Sequence, residues 1–230
     1  MEHSATFFSL IPILKNIPVQ IVAGGLVTVL LFLVATKIFR ELQNPENYVI
    51  PHAQLGIVGF FELIVEGALG VLEGILGKEA KYYLPLVGTV FILILFSNLI
   101  GLIPGFYSPT TNLNTTIAWA SIIFILYNYY GFRAHGVAYL KHFAGPVLWL
   151  APLMLVIEII SHLVRPVSLS LRLFLNMTGD HFVLGIFSNL THLVIPAIFM
   201  ALGVFVSLIQ AFVFAMLSTI YIALSTAHEH

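Results

Sequence analysis

The sequence predicts an all-α integral membrane protein with five membrane-embedded helices and one amphipathic interfacial helix. The last two helices are expected to be long and steeply tilted, paired as a hairpin. Three observations carry this expectation. Of the 230 residues, 60% are hydrophobic and only 8% are charged, whereas soluble domains run near a quarter charged. The mean hydropathy is +1.04. Apolar runs recur at 18–39, 84–104, 116–132, 147–188 and 193–226, each near or above the ~20 residues that let a helix cross a bilayer.

Composition also excludes several functions. There is no cysteine, so neither a disulfide framework nor a thiolate metal site is available. The near-zero net charge and the lack of a basic arm argue against a nucleic-acid partner. No glycine loop of the phosphate-cradling kind is present, so no nucleotide is expected to bind. No cofactor and no metal are predicted. Glu158 and His162 lie one helical turn apart, but zinc would need further ligands. The terminal HEH (228–230) has the wrong spacing to put two histidines on one helix face. N-x-S/T matches at Asn114, Asn176 and Asn189 are expected by chance. His52, His135 and His142 are most simply solvated.

Taken in order, residues 1–17 form an external N-terminal segment. The run from Pro18 ends in Lys37 and Arg40 rather than in a small-residue cleavage site, which marks residues 18–40 as a retained first transmembrane helix. Residues 41–83 form a cytoplasmic-side segment containing an amphipathic helix at 52–77. At 100° per residue its Glu62, Glu66 and Glu73 share one face, and Gly56, Gly59, Gly67, Gly70, Gly74 and Gly77 share an adjacent one. Acids on one side suit a helix in the interface plane, and the glycines would admit a close neighbour. Residues 84–230 form a four-helix core.

Loop charge gives the orientation. Lys37, Arg40, Lys78, Lys81, Arg133 and Lys141 fall in 37–81 and 133–141, while GLIPGFYSPTTNLNTT (101–116) and SNLTHL (188–193) carry no Lys or Arg. The excess of basic residues on inner loops puts the N-terminus outside and the C-terminus inside. Lys15 is the outer exception. The last two runs are overlong: 147–188 as one helix reaches roughly 60 Å and 193–226 about 50 Å, against a core of about 30 Å. Either they break, with Pro152, Pro166 and Pro196 as candidate points, or they cross at a slant; the slanted hairpin is preferred.

Charge inside the fourth run needs a reason. With Arg172 at 0° and about 100° per residue, Arg165 falls near 20°, Glu158 and Asn176 near 40°, Ser161 near −20° and Ser168 near −40°. His162 and Asp180 fall near 80°, and His181 on the opposite side at about 180°. An arginine at the bilayer centre costs about 2.5–3.5 kcal/mol on insertion scales, so it faces a partner, a cavity or an ion path. Arg165 has Glu158 for a structural ion pair. Arg172 has no acid one turn away, only the neutral Asn176. In the last helix Ser207, Gln210 and Tyr221 share a polar, uncharged face. The counter-charge of Arg172 is therefore expected from another chain.

PVSLSLRLFLNM, with a titratable residue nine positions after its arginine, resembles subunit a of the F-type ATP synthase membrane sector. So do FSNLIGLIPGF (96–106), TNLNTT (111–116) and LIQAFVFAMLSTIYIALS (208–225). The resemblance covers nearly everything after residue 50. It implies a stationary proton-conducting subunit with two offset half-channels, without nucleotide of its own. Expected partners are the proteolipid ring of subunit c, the peripheral-stalk subunit b and the lipid bilayer, in a bacterial inner membrane rather than an organellar one. Arg172 matches the essential arginine facing the ring. Glu158 matches an acid of one half-channel, and His181 a Glu-or-His position of the other. Asn176 and Gln210 match amides near the arginine, and Ser168 completes that face. Three departures stand out: Gly203 where many members carry a titratable residue, Asp180 where glycine is usual, and Leu175 where a small residue is usual. Asp180 is a candidate for the acidity that Gly203 lacks. The competing reading is a secondary transporter binding an anionic substrate at Arg172, although such proteins often show repeats and broken helices, and neither is legible here. An intramembrane hydrolase lacks a nucleophile paired with a base.

Overall fold

The computed structural model describes residues 18–43, 56–103, 105–136, 139, 151–190 and 194–226. Residues 1–17 with Lys15, the start of the 52–77 helix with His52, Lys141 and His142, and the terminal HEH lie outside the described residues. The fold is all-α, with no strand among the described residues. Its helices are α1 (Val19–Leu42), α2 (Ile57–Leu76), α3 (Ala80–Ile100), α4 (Leu113–His135), α5 (Ala151–Leu190) and α6 (Val194–Thr226). The chain divides into two compact units, Met1–Pro109 and Thr110–His230.

In the first unit α3 is the buried element, and α1 and α2 pack on it. Val87, Val90, Ile94 and Leu95 of α3 are buried, with Asn98 fully so. α1 buries only Ala23 and Val27, one turn apart, and leaves Phe32, Leu33 and Phe39 exposed. That is the pattern of a helix meeting lipid on most sides. α2 is seated by Leu72 and by Phe61, whose ring stacks on Phe96 at 5.9 Å. Glu62, Glu66 and Glu73 are exposed. A Cβ at Gly59, Gly67, Gly70 or Gly74 would meet nothing within 4 Å. α2 ends at Gly77, whose φ of 58° is open to glycine at little cost and turns the chain into α3.

In the second unit α4, α5 and α6 all pack on one another. Asn112 caps α4, its side chain accepting from the Asn114 N–H at 2.9 Å. Gly136, at φ 56°, closes its other end by donating to the Phe132 carbonyl at 2.8 Å. α5 and α6 are continuous over 40 and 33 residues, so the broken-helix alternative falls away; Pro166 sits inside α5 without ending it. The two helices run antiparallel with a regular seam. Phe187, Asn176 and Arg165 of α5 meet Phe199, Gln210 and Tyr221 of α6. Successive contacts are eleven residues apart on both helices, about three turns.

Four stretches are long and apolar enough to cross a membrane: Val19–Leu42, Ile57–Ile100, Pro152–Ser188 and Val194–Thr226. The sequence predicted five. α4 is helical as expected over 23 residues, but Asn114, Thr115, Thr116, Asn128 and Arg133 keep it out of the most apolar set. Those polar groups are partly explained by what α4 holds.

Candidate functional site

The polar stripe of α5 divides into two neighbourhoods. The first surrounds Arg172. Leu169, Leu173 and Met177, at helical spacing, are buried and seat α5 in its bundle. That rotation turns Ser168, Arg172 and Asn176 outward, and all three are exposed. Around them Val167, Leu171 and Leu175 of α5 and Phe205 and Phe212 of α6 are exposed as well. Arg172 therefore stands in an apolar lateral face. Among the described residues no carboxylate pairs with it; the ion pair found there is Arg165 with Glu158. Its polar neighbour Asn176 donates an amide N–H to Gln210 Oε1 at 2.8 Å, and Gln210 is buried. Ser207, one turn before Gln210 on α6, is fully buried.

Asp180 and His181 lie farther along α5, both half-buried and adjacent in the chain. The seam contacts at Asn176 and Phe187 bracket Asp180, and those at Gln210 and Phe199 bracket Gly203. The register thus brings Asp180 and buried Gly203 within about a turn of each other. His181 points about 100° away from Asp180 around the helix. The acid that departs from the expected pattern and the glycine that departs from it lie at the same level of the hairpin.

The second neighbourhood was only partly legible. Arg165 Nη2 lies 3.6 Å from Glu158 Oε1, two turns back on the same face. The Arg165 guanidinium also lies over the Tyr221 ring, 5.6 Å from its centroid, within cation–π range. So Tyr221, which shares a polar face of α6 with Ser207 and Gln210, is placed by the antiparallel register against Arg165. Arg165 Nη1 approaches His162 Nδ1 at 3.5 Å. His162 is buried between the rings of Phe124 and Tyr127, at 5.1 and 5.3 Å. Its Nε2 lies 2.8 Å from Asn128 Oδ1 and 3.3 Å from the Tyr127 hydroxyl. The Tyr139 hydroxyl donates to the same Asn128 oxygen at 3.1 Å. Burial raises the Tyr139 phenol above its usual range, with Arg165 pulling the other way, which keeps it a donor at neutral pH.

Tyr127, Asn128 and Tyr139 were missed as site residues. A signal was present: Phe124, Tyr127, Asn128 and Gly131 follow the i, i+3, i+4, i+7 spacing of one helix face, and an asparagine within an apolar run calls for a partner. Gly131 has a steric reason. A Cβ there would lie 2.6 Å from Tyr139 Cε2 and 2.9 Å from Cζ, so only glycine lets the ring lie against α4. Gly131→Ala is expected to displace Tyr139 and remove its hydrogen bond to Asn128, a loss of about 1 kcal/mol. Thermal denaturation of the purified protein checks this, with Tyr139→Phe as the second arm. The two losses should not add; full additivity would separate Gly131 from the Tyr139 contact.

Among the described residues no group of three or more His, Asp or Glu side chains could hold a metal ion. Residues 19–223 match the profile of the ATP synthase A chain family. The chain belongs to the ATP synthase A chain family. Its similarity to individual members is also high. It is 44% identical over 207 residues to ATP synthase subunit a of Bdellovibrio bacteriovorus, covering 90% of both chains. To ATP synthase subunit a of Geobacter sulfurreducens it is 51% identical over 175 residues, 76% of both. To ATP synthase subunit a 1 of Pelobacter propionicus it is 50% identical over 175 residues, again 76% of both. The family match takes in all of α1 through α5 and α6 as far as residue 223, and with them Glu158, Arg165, Arg172, Asn176 and Gln210.

Proposed function

We propose that the chain is the stationary proton-conducting subunit of an ATP synthase membrane sector. It would lie in a bacterial inner membrane, with its N-terminus outside and its C-terminus inside. The observation that carries this reading is Arg172: a cation on an apolar lateral face, with no carboxylate partner among the described residues. The seam beside it is held by neutral amides. A guanidinium is not deprotonated in proteins, so it cannot carry the proton itself. It can favour the ionised form of a carboxylate that passes close by. A ring of subunit c would present such carboxylates in turn. Each would release its proton on one side of Arg172 and reload from a separate aqueous path on the other. Glu158 serves the inner path, and His181 with Asp180 the outer one. Asn176, Gln210 and Ser168 keep the arginine's surroundings polar but uncharged. Arg165, Ser207 and Tyr221 are structural polar residues of the hairpin. Subunit b docks elsewhere as the peripheral stalk, and nucleotide is handled by other subunits. Continuous α5 and α6 offer no midplane break of the kind transporters use for substrate, so the anion-transporter reading is not favoured.

The absence of native cysteine allows a direct test in the assembled complex. Leu175→Cys, on the Arg172 face and 59% exposed, is expected to form a disulfide with a cysteine placed one turn from the ring carboxylate. Phe32→Cys on α1, 67% exposed, serves as the control and should not. Cross-linking from residue 32 but not from residue 175 would overturn the placement of the ring.

A further inference from the structure

The cluster around His162 is a buried polar network for which the two-path scheme has no use. Its hydrogen bonds define the state of the ring. Asn128 Nδ2 donates to the Phe124 carbonyl at 2.7 Å, which leaves Oδ1 facing His162 Nε2 at 2.8 Å. An amide oxygen only accepts, so Nε2 carries the hydrogen. In a neutral imidazole the other nitrogen, Nδ1, then offers a lone pair. That lone pair faces Arg165 Nη1 at 3.5 Å, while Nη2 of the same guanidinium lies 3.6 Å from Glu158.

We infer that neutral His162 is a positioning residue for Arg165, sharing the guanidinium with Glu158, and that a proton taken up at Nδ1 drives Arg165 off toward Glu158. The inference rests on the proton-path reading above, because it concerns the acid assigned there to the inner half-channel. Protonated Nδ1 would turn a donor and a positive charge toward the Arg165 donor, so the existing contact becomes repulsive. Glu158 on the same helix is the nearest acceptor for the displaced guanidinium. Among the described residues, the other titratable groups facing the cluster are phenols: Tyr127 from α4, Tyr139 through Asn128, and Tyr221 of α6 beneath the guanidinium. A carboxylate held more tightly by arginine is a poorer proton acceptor. Falling pH on the inner side should therefore slow proton transfer through Glu158 beyond simple mass action. His162 makes the inner path self-limiting.

The test uses the complete synthase in vesicles, with the pH of the inner face varied and passive proton conduction read by a pH-sensitive dye. In the parent, conduction should fall several-fold as the inner pH is taken from about 8 down to about 5, a range carried well past the ordinary histidine value of about 6.5. His162→Gln keeps a donor and an acceptor but cannot ionise, and should lose most of that fall. His162→Ala should lower conduction at both pH values, since no imidazole then shares Arg165 with Glu158. Arg165→Gln removes the charge being positioned and should erase the same part of the profile; it decides the matter alone if the His162 variants do not assemble. A His162→Gln or Arg165→Gln profile identical to the parent's sinks the inference. Arg172→Lys, measured in parallel, keeps the two readings apart. Normal coupling in that variant would remove the proton-path reading itself, whereas lost coupling together with an unchanged His162→Gln profile would remove only the role given to His162.

Discussion

Arg172→Lys is expected to leave the complex assembled and to reduce proton-coupled ATP synthesis to background. The reason lies in what the two cations do when desolvated. A guanidinium keeps its charge, while an ammonium loses its proton readily in a low-dielectric site. Two unit charges about 4 Å apart, in surroundings of effective dielectric about 20, interact by about 4 kcal/mol. That is about three powers of ten in the ionised fraction of a passing carboxylate. A lysine that deprotonates as the ring acid approaches gives up that bias at the moment it is needed. It also ceases to repel protons moving straight from one path to the other. Lysine further lacks the planar fork of donors that can engage both oxygens of a carboxylate. ATP-driven acidification of inverted vesicles and ATP synthesis under an imposed gradient are the measurements. Normal pumping by the Lys variant would end the case for Arg172 as the gate.

His181→Ala should slow passive proton conduction by an order of magnitude or more, the scale on which a positioned acid–base group acts, and should change its dependence on outer pH. His181 is half-buried on α5, adjacent to Asp180 and on the other side of the helix from the seam. Its imidazole can take up a proton at one ring nitrogen and pass one on from the other. Asp180→Asn should have a smaller effect of the same kind if the carboxylate supplies the acidity that Gly203 does not. Gly203→Glu should then restore conduction to Asp180→Asn, because the hairpin register sets the two positions at one level. An outer-pH profile unchanged by His181→Ala would take His181 out of the path, and failure of Gly203→Glu to rescue would sever the link between residues 180 and 203.

The resemblance and the polar stripe led to the right family, and the helices fall where the apolar runs lie. α3 begins at Ala80, earlier than its apolar run, because Lys81, Tyr82 and Tyr83 are helical although polar. The number of apolar spans was harder to read, since α4 gives up hydropathy to the groups that hold His162. The Glu158–Arg165 pair was legible from spacing along one helix, and it is present at 3.6 Å. Tyr221 shows where such reading ends. Its face on α6 was legible but its partner was not, because a helical wheel gives angle and leaves height undefined.

Residue order alone was enough for the membrane class, the lengths of α5 and α6, and the alignment of Ser168, Arg172 and Asn176 on one side of a helix. These follow from a 100° step and a hydrocarbon core of about 30 Å, which act over neighbouring turns. Which residues meet across helices was settled by folding. Asn176 finds Gln210, and His162 finds Asn128, each across 34 positions of chain. Those pairings depend on how far one helix slides along another before its side chains interlock, a balance of packing among all three helices of the unit. No local periodicity contains that distance, so the burial of His162 against α4 came into view only with the folded unit.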